Sequence, residues 1–382
     1  MPNNTITRAN LSNNGAIRNI HYGDVLIKFG SVLSIRSDDI PFIKNTDTVN
    51  NNVFLKNGDI VIADTAEDET VGKVTEIFDI YTEKVVSGLH TIPCRPKKNF
   101  APKFLGYYMN SPAYHYQLFP LMQGVKVLSI SKSNIVSTVI HYPDILQQTK
   151  ITNLLSLIDK KISVQRQLVE ALKKYKRGSL SALFPKKREI TPQYRFAGFT
   201  KPWEQRKFKD LGSVAMCKRI FKEQTSSEGD IPFYKIGTFG AEADAFISRE
   251  LYEEYKRKFQ YPEIGDMLIS ASGTIGRTVE YMGEDAYFQD SNIVWFKHDN
   301  RIDNSFLKCV YSIVRWSGIE GSTIKRLYND NFLKTEFYMP ILAEQEKIGE
   351  YFNTIDHLIT LHQHKYDILL SLKNALLQQM FI

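Results

Sequence analysis

The chain has 382 residues, enough for two or three domains with cores of their own. Its 23 Phe and 20 Tyr exclude a disordered class, and no apolar run reaches the length of a membrane span. A net charge of +7 favours a polyanionic partner, and three scattered cysteines (Cys94, Cys217 and Cys309) without CxxC spacing exclude a disulfide framework and point to a reducing, cytoplasmic setting.

Residues 1–20 are polar and Asn-rich, carry no signal-peptide pattern and read as a loosely ordered start. Short apolar runs separated by turn residues follow and read as strands: Asp24–Ile27, Ile40–Ile43, Asp59–Ile62, Lys84–Val86 and Thr91–Ile92. Lys103–Leu121 reads as helical in its first part and broken at Pro112, and Val127–Val139 as a further strand. From 144 to 184 a long helix is predicted: Ile151, Leu155, Ile158, Ile162, Gln165, Val169 and Leu172 step by fours and threes, an a/d seam with one polar position. Gly178 is a candidate kink. A charged link, Pro185-Lys186-Lys187-Arg188, leads to an aromatic-rich stretch at 190–212. Strands are then predicted at Ile231–Lys235, Gly265–Ser270 and Ser291–Phe296, a helix at Ser305–Trp316, and a last long helix from 340.

That last helix is the first one again. Shifted by 197 positions, 144–184 lies on 341–381 without a gap: Gln148 meets Gln345, Ile151 meets Ile348, Ile158-Asp159 meets Ile355-Asp356, Leu180 meets Leu377, and Phe184 meets Phe381. The second seam (Ile348, Phe352, Ile355, Ile359, His362, Tyr366, Leu369) has its polar position at the same place. A helix of that length, roughly 57 Å, needs a partner, and the matching seams predict an antiparallel coiled coil of the two copies. The globular parts repeat less cleanly. Gly58-Asp59 pairs with Gly265-Asp266, and Thr70-Val71-Gly72-Lys73 with Thr274-Ile275-Gly276-Arg277, at separations of 207 and 204. Two units of one framework are predicted, with insertions in their loops. The domain boundaries are 1–143, 144–184 (central helix), 185–339 and 340–382 (closing helix), in an α+β class of two mixed α/β domains in tandem.

No nucleotide-binding Gly motif, zinc-protease motif or Asn/Asp-Pro-Pro-Tyr/Phe methyltransferase signature occurs. Asp64, Glu67, Asp68 and Glu69 read as a solvated acidic loop, and His362 and His364, two apart on a helix, as ordinary helix residues rather than metal ligands. Residues suited to a polyanion are better represented. Lys218, Arg219 and Lys222 cluster after the aromatic stretch; Ser272 and Thr274 sit in a Gly-rich loop closed by Arg277, and Lys325 and Arg326 precede the last helix. In the first unit Lys73, Lys126 and Lys132 are the corresponding candidates, with Arg95, Lys97 and Lys98 beside them.

Two globular units, each followed by a helix of the form Gln-x-x-Ile…Ile-Asp-x-x-Ile…Leu…Phe, resemble the specificity subunit of type I restriction-modification systems. Phe196-x-x-Phe199-x-x-x-Trp203-Glu204-x-Arg206-Lys207-x-x-x-Leu211-Gly212 and Gly265-Asp266…Gly273-Thr274-Ile275-Gly276 carry the same resemblance, which covers essentially the whole chain. The resemblance implies that each unit is a target recognition domain reading one half of a bipartite site in double-stranded DNA. The helices would fix the gap between half-sites and dock two methyltransferase subunits, with motor-nuclease subunits joining for cleavage. Gln148, Ile151, Ile158, Asp159, Gln345, Ile348, Ile355 and Asp356 are the candidate partner-binding positions. The chain itself would be non-catalytic and bind no cofactor; S-adenosylmethionine, ATP and Mg would belong to the partner subunits. The first unit departs from the pattern in having no counterpart of Phe196–Gly212. Rival readings are a specificity subunit for an enzyme that combines cleavage and methylation in one polypeptide, a metal-dependent nuclease, and a coiled-coil adaptor that binds protein alone. The identity of the co-purifying partner, metal-dependent cleavage by the isolated chain, and salt-dependent DNA binding separate these.

Overall fold

The structure is a computed structural model that describes all residues except 47, 48, 50–53, 187, 188, 322–324 and 382. Lys187 and Arg188 of the charged link therefore lie outside the described residues. The chain divides into two compact units, Met1–Gln167 with Gln363–Ile382, and Leu168–His362. Both are mixed α/β and hold several small sheets.

The first unit contains strands β1 (Leu11–Ser12), β2 (Ile17–Ile20), β3 (Val32–Ser34), β4 (Phe42–Ile43), β5 (Ile60–Ala63), β6 (Thr65–Ala66), β7 (Val74–Phe78), β8 (Lys84–Ser87), β9 (Thr91–Cys94) and β10 (Leu128–Ser129). Its short helices are α1 (Tyr22–Ile27), α2 (Phe104–Tyr108), α3 (Pro112–His115) and α4 (Lys132–Val136), and α5 (Ile145–Leu183) is the first long helix. One sheet has the order β1-β4-β2-β8, another β3-β7-β5-β9, and β10 pairs with β6.

Several predicted elements change type. Asp24–Ile27 is helix, not strand: only one face of the run is apolar, with Val25 fully buried and Ile27 89 % exposed. The turn is started by His21, whose Nδ1 accepts the Gly23 amide at 3.2 Å, and Arg8 pairs with the buried Asp24. The loosely ordered start contains β2, which runs parallel to β8 from Ile17↔Lys84 to Ile20↔Ser87. Lys103–Leu121 breaks where expected, with Pro112 opening α3, where a missing amide costs nothing. Only Leu128–Ser129 of Val127–Val139 is strand, because Ser131 caps α4 by accepting the Asn134 amide. Helix α5 runs through Gly178 without interruption.

The second unit contains β11 (Glu204–Lys207), β12 (Gly212–Ala215), β13 (Ile231–Tyr234), β14 (Phe246–Ile247), α6 (Arg249–Lys258), β15 (Met267–Ser270), β16 (Thr278–Glu280), β17 (Tyr287–Phe288), β18 (Ile293–His298), α7 (Asn304–Ile313), α8 (Asn329–Lys334), β19 (Glu336–Met339) and α9 (Leu342–Met380). Its sheets are β12-β18-β15-β16, β14-β13-β17 and β11-β19. The order β7-β5-β9 of the first unit is that of β16-β15-β18 in the second. The fourth strand differs: β3 lies beside β7 in one, β12 beside β18 in the other. Cys217 and Cys309 are buried free thiols, pushed up to about 12 by desolvation.

The long helices pack in a reciprocal way. In the first unit Leu155 of α5 shares a core with Leu377 and Phe381. In the second, Phe352 of α9 shares one with Leu180 and Phe184. Each pair is the other moved by 197 residues. The ion pairs follow the same rule: Asp159 meets Lys373 at 2.6 Å in the first unit, and Asp356 meets Lys176 at 2.5 Å in the second. Within each unit an aspartate of one helix copy thus faces a lysine of the other.

Candidate nucleic-acid interface

Strand β15 ends in a tight Ser/Gly loop. Gly276 donates to the Ser270 carbonyl (3.1 Å) and Ser270 to the Arg277 carbonyl (2.9 Å). The Ser270 hydroxyl donates to the Thr274 carbonyl (2.5 Å) and accepts the Arg277 amide (3.0 Å). Gly273 and Gly276 have φ of +66° and +91°, which side chains with a Cβ rarely adopt. A hairpin packs on this loop: Glu320 and Arg326 exchange backbone hydrogen bonds, Gly273 donates to the Lys325 carbonyl (3.0 Å), and Leu327 to the Ala271 carbonyl (2.8 Å).

The first unit builds the same frame. Gly72 donates to Ala63 and Ala63 to Lys73; Gln123 and Ser129 exchange hydrogen bonds, and Ile130 donates to Asp64. Every one of these bonds maps onto its partner in the second unit at the separations found in the sequence. Gly124 and Gly321 open the two hairpins with φ of +118° and +105°. The Asn134 side chain donates to the Leu121 carbonyl at 2.7 Å, and its counterpart Asn331 donates to Gly318 at 2.7 Å.

This frame brings Ser272, Thr274, Lys325 and Arg326 together. The buried Ser272 hydroxyl and the Arg326 guanidinium both donate to Oδ1 of Asn292, at 2.8 and 2.9 Å. Thr274 and Lys325 are exposed. Arg326 lines an open groove of about 620 Å³, with Tyr328, Asn329, Asn331 and Met216 among its other walls. The remaining candidates stand apart. Arg277 is exposed, with its guanidinium near the Phe239 ring and the Ile236 carbonyl. Lys218 sits over Phe259, and Arg219 pairs with Asp290 at 2.9 Å. Lys222 is exposed in a short turn. In the first unit Lys126 lies in the 123–129 hairpin and Lys132 at the start of α4, both exposed. Lys73 is half-buried and donates to the Leu26 carbonyl (2.6 Å), and burial, with Lys373 adding repulsion, lowers its pKa. Among the described residues Lys126, Lys132, Lys222 and Lys325 have no ion-pair partner, so their charge is available to phosphate.

Reasoning from the sequence missed Asn292, Tyr328 and Asn329. Asn292 was hidden inside a run that reads as strand, and nothing in its spacing marks it as the acceptor that gathers Ser272 and Arg326.

The eight helix positions singled out above are turned inward or already paired. Gln148 accepts the Ala101 amide and donates to the Pro143 carbonyl (2.9 and 2.8 Å); Gln345 accepts the Asp303 amide and donates to the Pro340 carbonyl (3.0 and 2.9 Å). Ile158, Ile348 and Ile355 are buried, Ile151 is half-buried, and Asp159 and Asp356 hold their lysines. A second apolar stripe is exposed instead. It comprises Leu154, Leu157 and Val164 of α5 with Ile368 and Leu372 of α9 in the first unit. In the second it comprises Leu168, Tyr175, Leu358 and Leu361.

Residues 200–370 match a family model described as the type I restriction modification DNA specificity domain. Over 155 residues the chain is 56 % identical to a Haemophilus influenzae protein that carries the name of a type I restriction enzyme specificity subunit; the match spans 40 % of each chain, well under two thirds of that relative's length. It is 24 % identical over 365 residues, 87 % of this chain and 77 % of the other, to a protein of Methanocaldococcus jannaschii named as the MjaX specificity subunit. The crystal structure of the type I system S subunit from M. genitalium covers 100 % of this chain and 93 % of its own, with a TM-score of 0.59 and 14 % identity, a likeness of fold. Residues 200–370 thus match the DNA specificity domain of type I restriction-modification systems, and the chain is similar to their specificity subunits.

Proposed function

We propose that this chain is the DNA-reading, non-catalytic subunit of a type I restriction-modification enzyme, binding a bipartite site and directing adenine methylation and restriction by partner subunits. One observation carries the reading. Two units share a frame of loop and hairpin, bond for bond, yet present different side chains on it: Ser272 and Arg326 in one occupy the positions of Thr65 and Ser129 in the other. A constant frame with variable side chains suits two recognition domains that read different half-sites. Exposed lysines on each unit would neutralise phosphates, and loop side chains would read base edges in the groove, each good pair worth roughly 1–3 kcal/mol of discrimination.

On this reading α5 and α9 form an antiparallel coiled coil that sets the gap between half-sites. The reciprocal Asp–Lys pairs support it. Their exposed apolar stripes, rather than the inward Gln, Ile and Asp positions, are suited to docking two methyltransferase subunits, with motor-nuclease subunits joining the assembly. S-adenosylmethionine, ATP and Mg would be held by those partners and not by this chain. Co-expression with a cognate methyltransferase subunit, followed by mapping of methylated adenine across a genome, tests the proposal. A bipartite motif with a fixed gap is the expected result, and exchange of residues 185–339 should change one half only. Methylation without any bipartite motif would refute it.

A further inference from the structure

The two units differ at one seat, and the second unit shows what fills it. There β11 pairs antiparallel with β19, from Glu204↔Met339 to Lys207↔Glu336. The Phe208 amide donates to the Thr335 carbonyl at 3.2 Å. By the two-residue alternation of an antiparallel ladder, the backbone groups of Phe337 and Met339 are therefore the ones turned toward β11.

Moved back by 197 residues, β19 becomes Val139–Tyr142. The chain arrives there in the same way, with the Thr138 amide on Ile135 (3.2 Å) as the Thr335 amide is on Phe332 (3.1 Å). Among the described residues no strand lies beside it. The backbone groups that face the unit's own interior are satisfied by side chains: Gln117 bonds both the amide and the carbonyl of Val139, and the Tyr108 hydroxyl accepts the His141 amide. The other set, on Ile140 and Tyr142, has no hydrogen-bond partner among the described residues. Side-chain exposure agrees. Tyr142 is 43 % exposed where Met339 is 9 % exposed, and Val136 and Val139 are exposed nearby.

We propose that Val139–Tyr142 is an open strand seat, and that it takes an extended segment of a second polypeptide in the manner in which β19 takes β11. The chemistry of the occupant follows from the seat. In the second unit Glu336 pairs with Lys207 (3.3 Å) and accepts from the Gln205 side chain (2.8 Å). Val139 stands in its place, so the residue opposite it is apolar rather than basic. The occupant is a strand with the pattern of 203–208 and an apolar residue at the position of Lys207.

The test uses the full chain and synthetic peptides with the sequence of residues 200–212, native and with Lys207→Val, read by amide exchange. Without peptide, the Ile140 and Tyr142 amides should exchange fast while Phe337 and Met339 are protected. At saturating peptide the first pair should slow by about tenfold or more, and the Lys207→Val peptide should saturate at lower concentration. A peptide with Arg206→Pro, which removes a ladder amide, should protect neither; Tyr142→Pro in the chain, which removes an unbonded amide, should abolish the effect. Protection of Ile140 and Tyr142 without peptide, protection confined to Phe337 and Met339, or equal protection by the Arg206→Pro peptide would each overturn the proposal.

Discussion

Gln345 is fully buried and ties the start of α9 to the segment before α7. Its amide donates to the Pro340 and Arg301 carbonyls (2.9 and 3.0 Å), and its carbonyl accepts the Asp303 amide (3.0 Å). Gln345→Met keeps the length of the side chain and removes all three bonds. The Pro340 carbonyl stays buried without a donor, which costs roughly 1–3 kcal/mol, and the two half-exposed groups, which water reaches, cost roughly 0.5–1.5 kcal/mol each. A loss of about 3 kcal/mol is expected, enough to raise the open population of the second unit by about two orders of magnitude. Amide exchange read by mass spectrometry localises the effect: α7 should exchange faster while α2 is unchanged. Gln148→Met is the internal control. It loses two bonds, should cost about 2 kcal/mol, and should act on α2 instead. A Gln345→Met chain within about 0.5 kcal/mol of the parent, or one whose α2 and α7 respond alike, would refute the view that each glutamine clamps its own unit.

Glu76 is buried, with burial as the main cause of a pKa raised to about 7 despite amides from Lys103 and Gly106. A carboxyl with a raised folded pKa holds a proton that the unfolded chain has lost. Its contribution is therefore fully present below about pH 4.5 and declines as pH rises toward 7. Relative to Glu76→Gln, the parent should lose stability across that window, by at most about 1.4 kcal/mol per pH unit; denaturant midpoints with a flat difference would count against it. Asp356→Lys sets three cations against each other, since Lys176 and Lys308 both face Asp356, and should cost about 2 kcal/mol in a thermal melt. Adding Lys176→Asp should recover about half of that. Lys325→Ala should leave the melt unchanged and weaken DNA binding uniformly across sequences, lowering the salt slope by about 1. Val164→Glu and Leu361→Glu alter only exposed stripe positions; they should reduce retention of a methyltransferase subunit in gel filtration without shifting the melt.

The long helices were legible because their period and their repeat are both in the sequence. Which face does what was not. Helix α5 carries two apolar stripes one residue out of phase, one through Leu155 and Ile158 and one through Leu154 and Leu157, and periodicity ranks neither as the inner one. The repeated Gln and Asp positions, which the resemblance offered as partner contacts, each make a corresponding bond within their own unit. The short helix α1 was misread because its four-residue apolar run is too short to separate a strand from a turn of helix, and the signals that decide it, the His21 cap and the Arg8 pair, are tertiary.

The drift of the globular repeat has a physical cause in the same frame. Between Gly72 and Gly276 the separation is 204, between Ala63 and Ser270 it is 207, and from Leu121 and Gly318 onward it holds at 197. The hydrogen bonds at those points are nonetheless the same. Length is therefore free to change inside the loop that these bonds close: Ala63 and Gly72 lie nine positions apart and Ser270 and Gly276 six, yet the same amide-to-carbonyl bond closes both loops. Sequence change can fall on loop length and on positions such as 129 and 326 while the frame is kept. The lead-in escapes this rule. Phe196–Gly212 supplies β11 and the first residue of β12 to one unit, and the other answers with Gln117 and Tyr108 on one edge of Val139–Tyr142, while among the described residues nothing bonds the second edge. An asymmetry of that kind cannot be read from composition or period; it emerges only when the two units are compared bond by bond.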